Sequence, residues 1–91
     1  MGLKSTTHCL GYQQITSLAS AAMLTVPKNA TLAIIRCETQ NCRYRDDGVA
    51  PTASVGFPLL TSDILQYDGD LARIQFIEVS GSAKLNVLYY E

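Results

Sequence analysis

The residues best equipped for chemistry come in one run, Arg43-Tyr44-Arg45-Asp46-Asp47-Gly48. Guanidinium groups pair with carboxylates in a two-point fork, and arginine and tyrosine carry much of the energy of protein interfaces. On those grounds Arg43, Tyr44, Arg45, Asp46 and Asp47 are candidate contact residues for a protein partner. A local role is equally open. The arginines can pair with this chain's own acids on neighbouring strands, and Asp-Asp-Gly turns a chain because Asp and Gly tolerate positive φ. In an oligomer the same residues can do both.

The other reactive side chains are spaced less tellingly. Cys9, Cys37 and Cys42 are odd in number, and no secretory leader is expected. That argues against a disulfide framework and for free thiols made in a reducing cytoplasm. Cys37 and Cys42 are five positions apart and can face each other across a tight turn. The one histidine, His8, lies in the N-terminal tail, so a tetrahedral zinc site lacks ligands. Asp46, Asp47, Asp68 and Asp70 raise calcium, but no EF-hand pattern frames Asp68-Gly69-Asp70, which reads as a turn. Neither a Gly-x-Ser-x-Gly elbow nor a glycine-rich phosphate loop is present. Asp63, Asp70 and Glu78 are the carboxylates a two-acid hydrolase would draw on, and nothing in the spacing brings them together. The expectation is a non-enzyme with no cofactor and no metal. Tyr89-Tyr90, and Tyr44 with Tyr67, are candidate sugar-stacking aromatics, although strand tyrosines more often pack with the hydroxyl outward.

The chain that must position these groups has 91 residues, room for one domain. Hydrophobic residues make up 47% and charged residues 16%, enough apolar content to bury a core. A domain this small hides only roughly two thirds of the surface its unfolded chain exposes, and association is a common remedy. The net charge of −1, with basic and acidic residues mixed, offers no stripe for a phosphate backbone, so no nucleic-acid partner is expected. No run of about 18 apolar residues is present, so no membrane span is expected either.

Turn residues break the chain into short segments. Residues 1–10 read as a flexible lead-in and 11–91 as a single β-domain. Tyr12 to Leu18 is a first strand, Ser17 to Met23 a helical turn, and Leu24 to Val26 a short strand closed at Pro27. Thr31 to Cys37 is apolar enough to be covered on both faces. Cys42 to Arg45 places Arg43 and Arg45 on one face and Cys42 and Tyr44 on the other. Val55 to Leu60, with Gly56 and Pro58, suits a sheet edge. Ile64 to Tyr67 is short and extended. Arg73 to Val79 sets Ile74 and Phe76 on one face, and Lys84 to Tyr90 sets Leu85, Val87 and Tyr89 against Lys84, Asn86, Leu88 and Tyr90. Ser80-Gly81-Ser82 between them reads as the turn of a hairpin. Seven or eight such strands at about ten-residue spacing predict an all-β fold, a small antiparallel β-sandwich or barrel, jelly-roll-like.

Leu24-Thr25-Val26-Pro27, Arg43-Tyr44-Arg45-Asp46-Asp47-Gly48, Pro51-Thr52-Ala53-Ser54-Val55-Gly56, Gly69-Asp70-Leu71 and the closing strand Leu85 to Tyr90 follow one another in this order. Together these segments resemble a family of small proteins encoded by tailed bacteriophages and prophages. The match runs over about residues 20–90. It departs from the family pattern at Cys37 and Cys42, where the family has other residues. The resemblance implies a virion component made in the bacterial cytoplasm. Its most economical form is a capsid cement or decoration protein bound in many copies to the major capsid protein or another virion protein. Such a protein would be a homo-oligomer, a trimer being one form. A head-fibre or tail attachment module, or a glycan-binding module, is the alternative. Many weak contacts on a symmetric shell sum to high avidity without chemistry.

Overall fold

The computed structural model describes residues 8–91. Residues 1–7 of the expected lead-in lie outside the described residues, and Cys9 and Leu10 already belong to the first strand. Eight strands follow: β1 Cys9–Ile15, β2 Ala22–Met23, β3 Leu32–Glu38, β4 Cys42–Arg45, β5 Phe57–Leu59, β6 Leu65–Tyr67, β7 Gln75–Glu78 and β8 Lys84–Tyr90. No helix occurs among the described residues, so none is long and apolar enough to cross a membrane.

The strands form two four-stranded antiparallel sheets, in the orders β1-β8-β3-β6 and β2-β7-β4-β5. The pairs β4–β5, β3–β6, β2–β7 and β1–β8 are all hydrogen-bonded. The chain is thus one long hairpin, doubled back between β4 and β5 and rolled into a sandwich. This is a jelly roll.

Alternation along each strand builds the core. Ala33, Ile35 and Cys37 of β3 and Leu85, Val87 and Tyr89 of β8 point in from one sheet. Cys42 of β4, Phe76 of β7 and Ile74 just before it point in from the other. Leu18, from the β1–β2 connection, is fully buried and accepts a hydrogen bond at its carbonyl from Glu78 N (2.9 Å). Burial of each such aliphatic or aromatic side chain is worth about 1.5–3 kcal/mol.

Three expectations are corrected. The segment 17–26 contains no helical turn; its strand is Ala22–Met23, not Leu24 to Val26. Leu18 anchors to the core instead, and Thr25 N bonds the Gln13 side chain (3.1 Å), which leaves this backbone committed elsewhere. β3 is covered on one face only: Arg36 and Glu38 are exposed on the other, and Leu32 and Ile34 are half-buried. Finally, β7 and β8 are not a hairpin. They lie in different sheets, and the Ser80–Ala83 connection, with Ser82 at φ 75°, carries the chain across the sandwich. The β3–β4 connection crosses likewise, with Thr39 at φ 80°. An apolar face tells a strand to face a core, and both sheets face the same one.

Candidate functional site

The 43–47 run leaves β4 and enters the β4–β5 connection, the doubled tip of the rolled hairpin. Arg43 turns to its own chain: Nη1 donates to Gly56 O (2.8 Å) and Nε to Ala53 O (3.2 Å), which straps the 51–56 loop to β4. That strap sits tightly on Gly56, where a Cβ would lie 3.0 Å from Arg43 Cβ and 3.1 Å from Pro51 Cβ. Arg45 grips Asp47 with both fork nitrogens, Nε to Oδ1 at 3.0 Å and Nη2 to Oδ2 at 2.5 Å. This guanidinium contact holds the Asp47 carboxyl down to about 2. Arg73 Nη2 donates to Asp47 O (2.9 Å), and its guanidinium lies over Gly48, whose φ of 84° is left-handed. The local role therefore accounts for Arg43, Arg45 and Asp47 within the chain.

Tyr44 and Asp46 face a different way. Tyr44 packs its ring against Phe57 (centroids 5.4 Å) and Phe76 (5.7 Å). Its phenol is pushed up by burial and then by the Asp46 charge. Register carries the reason: Tyr44 lies opposite both Phe57 and Phe76, on the inward face of the second sheet. Tyr67 lies opposite the buried Ala33, on the inward face of the first sheet. Tyr67 Oη donates to Asp46 Oδ2 (2.8 Å), and burial together with that carboxylate pushes the phenol up to about 12. At the β5–β6 side of the sandwich the two inward faces open. Tyr44, Phe57 and Tyr67 line a groove of about 580 Å³ there, with Arg45, Asp46, Asp47 and Val55 around it. Phe57 is 66% exposed in it.

The outward face of the first sheet is the other unusual surface. Register sets Tyr12, Leu88 and Ile34 in a row across β1, β8 and β3. Ile64 adjoins the same hollow. Tyr12 is 59% and Ile64 61% exposed. The next row is polar. Asn86 Oδ1 accepts from Tyr12 Oη (2.5 Å) and Gln14 Nε2 (3.0 Å), and Asn86 Nδ2 donates to Glu38 Oε1 (3.0 Å). The surface is an apolar row with a hydrogen-bonded polar border.

The remaining candidates resolve individually. Cys37 and Cys42 are buried free thiols and Cys9 an exposed one. Cys37 Sγ donates to Leu59 O (3.1 Å), and burial, with Cys37 beside it, pushes Cys42 up to about 12. Such thiols are inert as nucleophiles. Asp63 Oδ2 accepts from Leu60 N, and Asp70 Oδ1 from Ala72 N, so both carboxylates close their own turns. Among the described residues no three His, Cys, Asp or Glu side chains group as metal ligands. Tyr89 and Tyr90 do not share a face: Tyr89 is buried with its hydroxyl on Gln13 Oε1, and Tyr90 points outward. His8 directly precedes β1, and its imidazole contacts the Glu91 carboxylate. Phe57, Tyr12, Ile34, Leu88 and Ile64 were not among the expected site residues. Leu88 and Tyr90 on the outward register of β8 were the available sign.

No protein-family model matches this chain, and neither a curated protein nor a solved structure does.

Proposed function

We propose that the chain is a bacteriophage virion structural protein without catalytic activity. In this reading it is a capsid cement or decoration module that binds the major capsid protein or another virion protein, working as a homo-oligomer. The virion setting is supported by the ordered run of sequence segments from Leu24 to Tyr90. The binding role is carried by one observation: Tyr12, Leu88 and Ile34 form a contiguous apolar row on the outward face of a sheet, next to the exposed Ile64. Scattered exposed apolar residues are ordinary, but a contiguous patch with a polar rim marks a surface meant to be covered. A jelly roll suits this because its sheets stay rigid when one face is docked.

The test is co-sedimentation with particles of the parent phage. Wild-type protein should pellet with particles, and Ile34→Asp and Leu88→Asp should not. Leu88 is exposed, so Leu88→Asp should unfold close to the wild-type urea midpoint, whereas the half-buried Ile34→Asp should lose some stability and still fold. Wild-type protein that stays in the supernatant at saturating particle concentration would end the virion reading. Aspartate variants that pellet normally would remove the sheet face from it.

A further inference from the structure

We propose that the groove between β5 and β6 seats one cationic side chain, an arginine or lysine presented by the protein on which the module docks. The proposal rests on the protein-binding reading above and gives it a chemistry.

Three strands from two sheets bring three rings to this place: Tyr44 from β4, Phe57 from β5 and Tyr67 from β6. Tyr44 and Phe57 meet at 45°, so they form an angled wall and not a flat stack. A ring face carries partial negative charge and attracts a cation placed over it. Phe57 leaves two thirds of its surface in water at a sheet edge, where it adds little to the core.

The charges around the groove point the same way. Every nearby guanidinium is already committed within the chain: Arg43 to two loop carbonyls, Arg45 to Asp47, and Arg73 to the Asp47 carbonyl. Asp46 is different. Its Oδ2 accepts only a neutral phenol, Tyr67 Oη, and neither of its oxygens takes a bond from a cation among the described residues. The groove is thus lined by three aromatic side chains, Phe57 the most exposed, and one carboxylate without a counter-charge. An anion would be repelled. A saccharide could stack on Phe57, but it needs several convergent donors and acceptors, and the Arg45 fork and Asp47 carboxylate satisfy each other. A long cationic side chain fits the remaining chemistry: its stem lies on the rings and its head reaches Asp46.

The probes are N-acetyl-arginine amide and its neutral isostere N-acetyl-citrulline amide, titrated into the isolated chain and followed by the aromatic NMR signals of Tyr44, Phe57 and Tyr67. The arginine probe should move these signals saturably, more weakly as salt rises, and at least fivefold more tightly than citrulline. Asp46→Asn should weaken the arginine probe about fivefold. Phe57→Ala, at an exposed position, should weaken it about threefold with the fold intact. Equal shifts from both probes would overturn the proposal. So would silence from the arginine probe, or saturation by maltotriose at concentrations where arginine gives none. Failure here with particle binding retained removes the groove's assignment alone. Arginine binding without particle association removes the virion reading alone.

Discussion

Arg43→Ala is expected to cost the fold far more than Arg45→Ala, although the two residues look equivalent in the sequence. Arg43 makes two charge-assisted hydrogen bonds to carbonyls of the 51–56 loop, the one to Gly56 at 2.8 Å and partly buried, the one to Ala53 at 3.2 Å and exposed. Hydrogen bonds to charged groups are worth about 1.5–3 kcal/mol when sheltered. Counting the partly buried bond near the low end and discounting the exposed one for water gives a loss of about 2 kcal/mol. In a domain this size each kcal/mol moves Tm by about 4–8 °C, so a fall of roughly 8–16 °C is expected. Arg43→Lys can restore one of the two bonds and should recover part of the loss. Arg45 instead pairs with a carboxylate at the surface, and exposed pairs of this kind add little to stability. Urea unfolding with an unchanged m-value measures all three variants. Equal midpoints for Arg43→Ala and Arg45→Ala would refute the assignment of Arg43 as a loop strap, as would an Arg43→Ala midpoint at the wild-type value.

Stability should fall as pH rises from about 9 to about 12. Cys42, Tyr67 and Tyr89 are each pushed up to about 12 in the fold, Tyr89 by burial, so below pH 9 their contribution is complete. Above their ordinary values of 9 and 10 the unfolded chain releases protons that the folded chain keeps, which favours unfolding. A urea midpoint constant from pH 9 to 11 would contradict this. Gly48→Ala should cost about 1–2 kcal/mol, because φ at this position is 84° and the left-handed region disfavours a Cβ. The Arg73 guanidinium, 2.5 Å from a new Cβ, must shift from its bond to Asp47 O for either residue, and Gly48→Asn, which tolerates this backbone region better, should lose less than Gly48→Ala. The particle and probe experiments on Ile34, Leu88, Asp46 and Phe57 address the two binding surfaces.

The strand spans were largely legible because alternation is local. Cys42–Arg45 and Lys84–Tyr90 were placed at their observed bounds, and the inward sets Ile74 with Phe76 and Leu85 with Val87 and Tyr89 were correct. Pro58 marked β5 as an edge, and β5 is one. Pairing was not legible. β8 bonds β1, more than seventy positions away in register terms at Gln13↔Val87, and β3. Turn residues at 80–82 signal a reversal without saying whether the chain returns in the same sheet or crosses to the other. Leu18 was expected at the end of the first strand, but β1 is Cys9–Ile15, and Leu18 is core only because the closed sandwich covers the connection it lies in.

The same division runs through the sites. By itself the sequence determined that the chain is all-β, that Asp46-Asp47-Gly48 turns, and that arginines, aromatics and acids crowd that turn, because composition and short-range pattern decide these. Only the tertiary structure decided which of those residues serve the fold. It strapped Arg43 to a loop and paired Arg45 with Asp47. It also brought Tyr44, Phe57 and Tyr67 into one groove, and Tyr12, Ile34 and Leu88 into one row. Those groupings join residues far apart in the chain. Rolling the hairpin sets them side by side, and nothing in local spacing encodes that roll.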